Sequence, residues 1–225
     1  MLRIMTLKSA DMGKNQVRYR LLVEGKNDQH IIWNLAQRLG LKETFEVVAK
    51  DSYSEIITVL PTELKSTNTL ERLGVIVDAD VNIDGHWQAI RNILLKSGFY
   101  EVPECLPKEG LVCQPIDPEQ LVFGVWIMPN NHLKGMVEDF IIQMIPDTDN
   151  DRLLKKADAV LQELEDNNWN LYKAVHHSKA RIHTWLSWHD EPGLPMGTAI
   201  TNQVLSTDND LCKMFVGWLK RMFDC

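Results

Sequence analysis

Two apolar runs in this chain break off abruptly into carboxylates. Arg20-Leu21-Leu22-Val23 gives way to Glu24-Gly25-Lys26-Asn27-Asp28, and Leu73-Gly74-Val75-Ile76-Val77 gives way to Asp78-Ala79-Asp80. Unbroken apolar runs of this length are the mark of strands buried on both faces, as in a parallel sheet covered by helices. Between and after them the period changes. Ile31, Leu35 and Leu39 recur every four residues and predict a helix ending at Gly40. Residues 45–49 read as a short second strand and residues 54–64 as a helix that Pro61 is expected to kink or divide. Residues 73–77 are the third strand. Trp87, Ile90, Ile93 and Leu94 then mark a further helix, closed by Ser97 and Gly98.

Strand-like runs at 111–114 and 121–128 flank Pro115-Ile116-Asp117-Pro118 and predict a hairpin at one edge of the sheet. Beyond Asn130 the pattern is helical. One stripe is Val137, Phe140, Ile141 and Met144, stopped by Pro146, and the next runs from Leu153 to Leu164. A third helix is expected over residues 169–188, a break over 191–197, and a last helix with Leu211, Phe215, Trp218, Leu219 and Phe223 on one side. Residues 1–16 read as a lead-in with a turn at Gly13-Lys14-Asn15. The expected architecture is α/β: a mainly parallel sheet flanked by helices over residues 17–145, with right-handed crossovers, and an α-helical C-terminal extension over 146–225 packed on it.

Composition narrows the class. With 225 residues, 44% of them hydrophobic, and no low-complexity tract, the chain can bury a full core. No apolar run approaches the length of a membrane span and the first residues lack the apolar core of a signal peptide, so a cytoplasmic protein without a membrane is expected. Four cysteines, Cys105, Cys113, Cys212 and Cys225, lie too far apart to suggest zinc or a disulfide framework and are expected to be reduced. A net charge of −7 argues against a protein that coats nucleic acid nonspecifically, although a cation held among acidic residues would reverse the local field.

In a parallel sheet the ends of the first and third strands face the same way, which brings Glu24, Asp28, Asp78 and Asp80 to one rim, where open α/β sheets bind ligands. Four carboxylates so close repel one another unless a cation sits among them, and hard ions such as Mg2+ take oxygen ligands of this kind. Gly25 between the two acids of the first loop would allow a tight turn and close approach of the backbone. Plainer roles compete: Asp28 as a helix cap, and Asp78 and Asp80 as a solvated turn. If Asp78 and Asp80 stand in extended backbone, both side chains point to one side.

Val23-Glu24-Gly25-Lys26-Asn27-Asp28, followed some fifty residues on by Val75-Ile76-Val77-Asp78-Ala79-Asp80, resembles the Toprim domain of primases, topoisomerases, a ribosomal RNA maturase and the overcoming-lysogenization-defect (OLD) nucleases. The resemblance covers residues 17–98 and extends more loosely to 145. It implies acid-base work and metal binding for Glu24, and metal binding by Asp78 and Asp80. The OLD nuclease branch and a stand-alone Toprim-like family resemble the chain more closely than the topoisomerases do. By the nuclease resemblance Asp28 matches a second acid, Glu138 in Val137-Glu138-Asp139 supplies a further metal position, and Lys179 in His177-Ser178-Lys179 is the cation beside the scissile phosphate. Against these, Glu138 and Asp139 also suit the first turn of a helix, and Lys179 a solvated face.

These residues together imply a Mg2+- or Mn2+-dependent nuclease or related phosphodiester-transfer enzyme. Glu24, Asp28, Asp78, Asp80 and Glu138 would hold metal, Glu24 and Lys179 would be catalytic, and DNA or RNA would be the partner, with Lys26 and Arg181 available to phosphates. The alternative is a non-catalytic Toprim-like interaction module, or a subunit working with a separately encoded ATPase, for example in anti-phage defence, because the chain has no Walker A sequence. A third reading, a small-molecule phosphohydrolase with Asp78 as nucleophile, leaves Glu24 idle. His183 and His189 are expected to be packed or hydrogen-bonded rather than ligands, and the tryptophans to be core rather than base-stacking residues.

Overall fold

The computed structural model describes residues 18–146 and 151–225. The lead-in expected over residues 1–16 lies outside the described residues, as does residue 17, where the expected α/β region begins. Five strands form one sheet in the order β2-β1-β3-β5-β4. Here β1 is Tyr19–Val23, β2 is Glu46–Ala49, β3 is Arg72–Asp78, β4 is Leu111–Cys113 and β5 is Val122–Met128. The pairs β1–β2, β1–β3 and β3–β5 are parallel and only β4 runs antiparallel, at the edge. Leu22 lies opposite Val75, and β1 ends at the next residue while β3 continues to Asp78, so β3 runs two residues further than β1 toward the carboxyl rim.

Helices cover both faces because successive strand residues point to opposite sides. On one face Leu22, Val75, Val77 and Phe123 pack with α2 (Tyr53–Glu63) and α3 (Ile83–Lys96) through Ile56, Leu60, Trp87 and Ile90. On the other, Leu21, Val23, Ile76 and Trp126 share a core with α1 (Lys26–Leu39) and the C-terminal helices. These are α4 (Val137–Ile142), α5 (Asp151–Asp166), α6 (His177–Leu186), α7 (Met196–Thr201) and α8 (Asp210–Phe223). The last of them lies on the sheet itself. A Cβ at Gly74 would come within 2.7 Å of the Phe223 ring and one at Gly124 within 2.5 Å of the Met222 sulfur, so glycines in β3 and β5 make the space for α8. Trp218 Nε1 donates to the Leu111 carbonyl at 2.9 Å, tying α8 to the edge strand as well. The C-terminal helices therefore complete the core of the sheet.

Three local expectations change. Pro61 sits in the last turn of α2, where the missing N–H costs one bond near the helix end, and the helix is not divided. The helix expected from residue 169 begins only at His177, after a 3-10 turn at Ala174–His176. The reason is local: Asn168 takes a left-handed conformation at φ +54, and the N–H groups of Trp169 and Asn170 turn back to the Leu164 carbonyl, which closes α5. The third change is α7, a six-residue helix that starts directly after Pro195 inside a stretch whose prolines and glycines read as a break. All four cysteines are free thiols. No helix among the described residues is long and apolar enough to cross a membrane.

Candidate functional site

At the carboxyl ends of β1 and β3 the side chain of Glu24 bridges two loops. Its Oε1 accepts from the backbone N–H of Asp78 at 2.7 Å, and its Oε2 accepts from the N–H of Tyr53, the first residue of α2, at 3.0 Å. Asp28 stands at the third position of α1, buried to 8% exposure, and its Oδ2 accepts from the Gly25 N–H at 3.0 Å. The helix-capping role is thus real, with Gly25 as the cap residue and Asp28 reaching back to it. Gly25 itself is extended (φ −131), a conformation open to any residue, so what glycine contributes here is room: a Cβ would lie 3.2 Å from Asp28 Oδ2.

The loop after β3 is pinned to the loop before α4. Asp80 and Gly135 exchange both backbone hydrogen bonds, at 2.8 and 2.9 Å, and Asp78 Oδ1 accepts from the Val137 N–H at 2.9 Å. Gly135 has φ +136, where an L side chain is strained, and a Cβ there would strike Asp139 Oδ2 at 2.6 Å. This clamp carries Glu138, in the first turn of α4, to the rim in a buried position. Asp139 faces away. One of its oxygens caps α4 through the Met136 N–H and the other accepts from Ser178 Oγ at 2.6 Å, which sets Lys179 on α6 across from Glu138, with Nζ to Oε1 at 4.0 Å.

The result is an open cleft of about 540 Å3 with Glu24, Asp28, Asp78, Glu138 and Lys179 in its wall. Lys26 and Asn27 line it as well. Asp80 does not line the cleft. Its backbone is left-handed (φ +48), not extended as an alternating pair requires, although its charge still acts on Glu24. Arg181 is held by both oxygens of Asp158 and is not free for phosphates. His183 is exposed rather than packed, and His189 stands edge-on to buried Trp185. Trp185 and Trp218 are core residues, while Trp188 is 39% exposed.

Two further titratable side chains reach the cleft, those of Asp51 and His176. Asp51 was legible in principle, since it lies two residues beyond β2 and the parallel pair β1–β2 ends on the same rim. His176 carries no such mark, because its place depends on where the chain leaves the 3-10 turn.

The carboxyls crowd one another in a poorly hydrated place. Burial pushes Asp78 up to about 9, helped by the charges of Asp28, Glu24 and Glu138 and opposed by the Val137 N–H. Burial pushes Glu24 up to about 7 against the pull of the Asp78 N–H, with Asp28 and Asp80 adding to the rise. Asp28 rises to about 6, again chiefly through burial; its own and the Gly25 N–H groups pull it down, Glu138 pushes it up and Lys179 lowers it. Groups so displaced cluster at working sites, because the fold holds charges together that water would keep apart. Among the described residues no three His, Cys, Asp or Glu side chains stand ready-made as an ion cage. Yet each carboxylate oxygen held by one backbone N–H keeps a second lone pair, so the donor set suits a hard cation in kind.

Fold and rim together define a class: an α/β protein with a mostly parallel sheet and an acidic cleft at its carboxyl edge. Residues 18–224 match the model of a family described as "Protein of unknown function (DUF3226)", and the chain belongs to that family. No curated protein and no solved structure matches the chain significantly.

Proposed function

We propose that this protein is a Mg2+- or Mn2+-dependent nuclease, or a related phosphodiester-transfer enzyme, with a Toprim-type carboxylate site. One observation carries the reading: Glu24, Asp28, Asp78 and Glu138, supplied by four separate elements, converge on one cleft with Lys179 opposite and with three of the carboxyls raised by burial and mutual repulsion. Such an arrangement costs stability unless a cation relieves it. Asp78, Asp28, Glu138 and Glu24 are the residues that would hold metal. A divalent ion held by these residues would supply Lewis-acid polarisation of a phosphoryl oxygen and would lower the pKa of a bound water.

The chain's own groups have distinct tasks. Glu24, which burial raises to about 7 while no cation is bound, is the group we assign to proton exchange. Its two backbone N–H partners fix the carboxylate plane, so it cannot swing out of the cleft. Lys179, half exposed with its charge toward the cleft, offsets developing negative charge on a phosphate. Asp78, raised to about 9, is protonated at neutral pH unless a cation is present, which does not suit a nucleophile and speaks for a ligand role.

The test is calorimetric titration of Mg2+ and Mn2+ into the parent protein and into Asp78→Asn, followed by incubation of the same samples with plasmid, single-stranded DNA and RNA. Metal binding lost in the variant together with metal-dependent cleavage by the parent supports the reading. Binding without cleavage points to a module that works with a partner such as a separately encoded ATPase. A parent that binds neither ion overturns the metal site.

A further inference from the structure

The stretch from Asn167 to His189 differs in charge from the rest of the chain. It contains no acidic residue, three of the Lys and Arg, and four of the seven His, in a protein whose net charge is −7. Residues 167–173 are not helical, and together with the 3-10 turn that follows they present large apolar side chains to solvent: Trp169 is 63% exposed, Leu171 fully so, and Val175 44%. Exposed bulk of this kind in one short segment marks a binding surface. The segment is also held in shape. The N–H of Trp169 donates to the Leu164 carbonyl at 2.8 Å, Asn170 Nδ2 to the Tyr172 carbonyl at 3.1 Å, and the Tyr172 hydroxyl to Glu165 Oε1 at 2.8 Å. The same Glu165 oxygen meets His177 Nδ1 at 2.7 Å, so the segment is closed onto α5 from both ends.

It leads into the cleft. Val175 precedes His176, which lines the cleft, and Lys179 lies one helical turn further. Trp169 is seven residues before His176, a separation of at most about 25 Å along extended chain. Lys173, between them, is exposed and has no ion-pair partner among the described residues. Lys179, Arg181 and His177 face Glu138, Asp158 and Glu165, which leaves Lys173 as the cation open to a ligand; beside the exposed indole it suits phosphates spaced along a strand whose base faces are open for stacking. A duplex hides those faces in its own stack, and an acidic peptide offers none.

We propose that the segment from Trp169 to Lys179 is a platform for single-stranded nucleic acid, Trp169 stacking a base while Lys173 and His176 follow the phosphates toward the carboxylate cleft. The proposal rests on the reading of that cleft as a nucleic-acid site and names its substrate as a single strand. Leu171 and Val175 pack against the sugar-base edge of neighbouring nucleotides. The Tyr172, Glu165 and His177 contacts spare the complex the cost of ordering the segment when it binds.

The experiment uses the full chain carrying Asp78→Asn, so that no probe is cut, and fluorescence anisotropy with labelled single strands of about 12 nucleotides, as DNA and as RNA, beside a duplex of the same length. Trp169→Ala is expected to weaken single-strand binding about tenfold and Trp169→Phe to restore most of it. Lys173→Gln is expected to lower the slope of log affinity against log salt by about 0.7. Duplex binding stays unchanged in all three. Circular dichroism checks that the exposed substitutions leave the fold intact. Single-strand affinity indifferent to Trp169, affinity for duplex alone, or no binding of any oligonucleotide would each overturn the platform. The two readings fail separately. Trp169-dependent binding by a parent chain that cuts nothing with Mg2+ or Mn2+ keeps the platform and sinks the nuclease. Metal-dependent cleavage of single strands insensitive to Trp169→Ala does the reverse.

Discussion

Glu24 Oε1 accepts the backbone N–H of Asp78 at 2.7 Å, so the acid that ends one strand fixes the loop that ends its parallel neighbour. With Oε2 on the Tyr53 N–H, one side chain joins the ends of β1, β3 and the start of α2. Glu24→Ala removes both acceptors and leaves two half-buried donors to find water. The expected cost is about 2 kcal/mol, within the range for orphaned buried donors, read as a lower urea midpoint at unchanged slope. A variant as stable as the parent would mean that water replaces the carboxylate without loss.

The raised carboxyls make stability depend on pH in an unusual sense. Asp78, Glu24 and Asp28 sit at about 9, 7 and 6 in the folded chain, above the values near 4 that carboxyls have in an unfolded one. Between the two values the folded state binds more protons than the unfolded state. Stability from these groups is therefore full below about pH 4 and is lost as pH rises, Asp28 and Glu24 first and Asp78 last. Melting temperature in EDTA is expected to fall from pH 5 to pH 9. Asp78→Asn should flatten the upper part of that fall, and an equal slope in the variant would deny Asp78 its raised value.

Divalent metal should act most where the protein is weakest. An ion that binds the folded carboxylates and not the unfolded chain stabilises by about 2.7 kcal/mol at a hundred times its dissociation constant. For a chain of 225 residues that corresponds to a rise of roughly 5–10 °C in melting temperature. The rise is expected to be larger at pH 8 than at pH 6, because protons compete with the ion for the same oxygens. Scanning calorimetry with and without Mg2+ at both pH values measures it. A rise of equal size in Asp78→Asn would place the ion elsewhere.

What the sequence made legible follows from range. The strand ends at Glu24 and Asp78 stand out because an apolar run stopping at a carboxylate is a local pattern, and parallel pairing then decides that they meet. Asp28 and Glu138 belong to the first turns of α1 and α4, where local order also places them. Asp80 has a left-handed backbone, not the extended one an alternating pair needs, and it pairs with the distant Gly135, a pairing that no spacing within the loop announces. The helix expected from residue 169 failed for a related reason. Apolar spacing continued through Trp169, while two asparagines ended α5 and a side-chain network held the next residues away from helix.

The glycines beneath α8 show that the last helix belongs to the core. Gly74→Ala places a methyl 2.7 Å from the Phe223 ring and 3.0 Å from Leu21 Cδ1, both fully buried, so neither neighbour can move away freely. Overpacking of this kind costs about 1–3 kcal/mol. Double substitution with Phe223→Leu should recover part of the loss if the clash is its cause. Additive losses in the double variant would locate the damage in the strand instead.

Lys179 separates two kinds of role through opposite signs. It lies 4.0 Å from Glu138 and its charge lowers Asp28, so it competes with any cation for the same carboxylates. Lys179→Met, which keeps much of the apolar stem, should leave Mg2+ affinity equal or higher, because the carboxylates lose their resident positive charge. If Lys179 also offsets charge developing on a phosphate, turnover at saturating Mg2+ should fall by about a hundredfold, the scale seen when one such group is removed. Affinity and turnover moving in opposite directions fit a group that acts on the reacting phosphate. Affinity and turnover falling together would show that Lys179 holds the cleft in shape, and the cation beside the phosphate would then have to be sought in Lys26, which lines the same cleft.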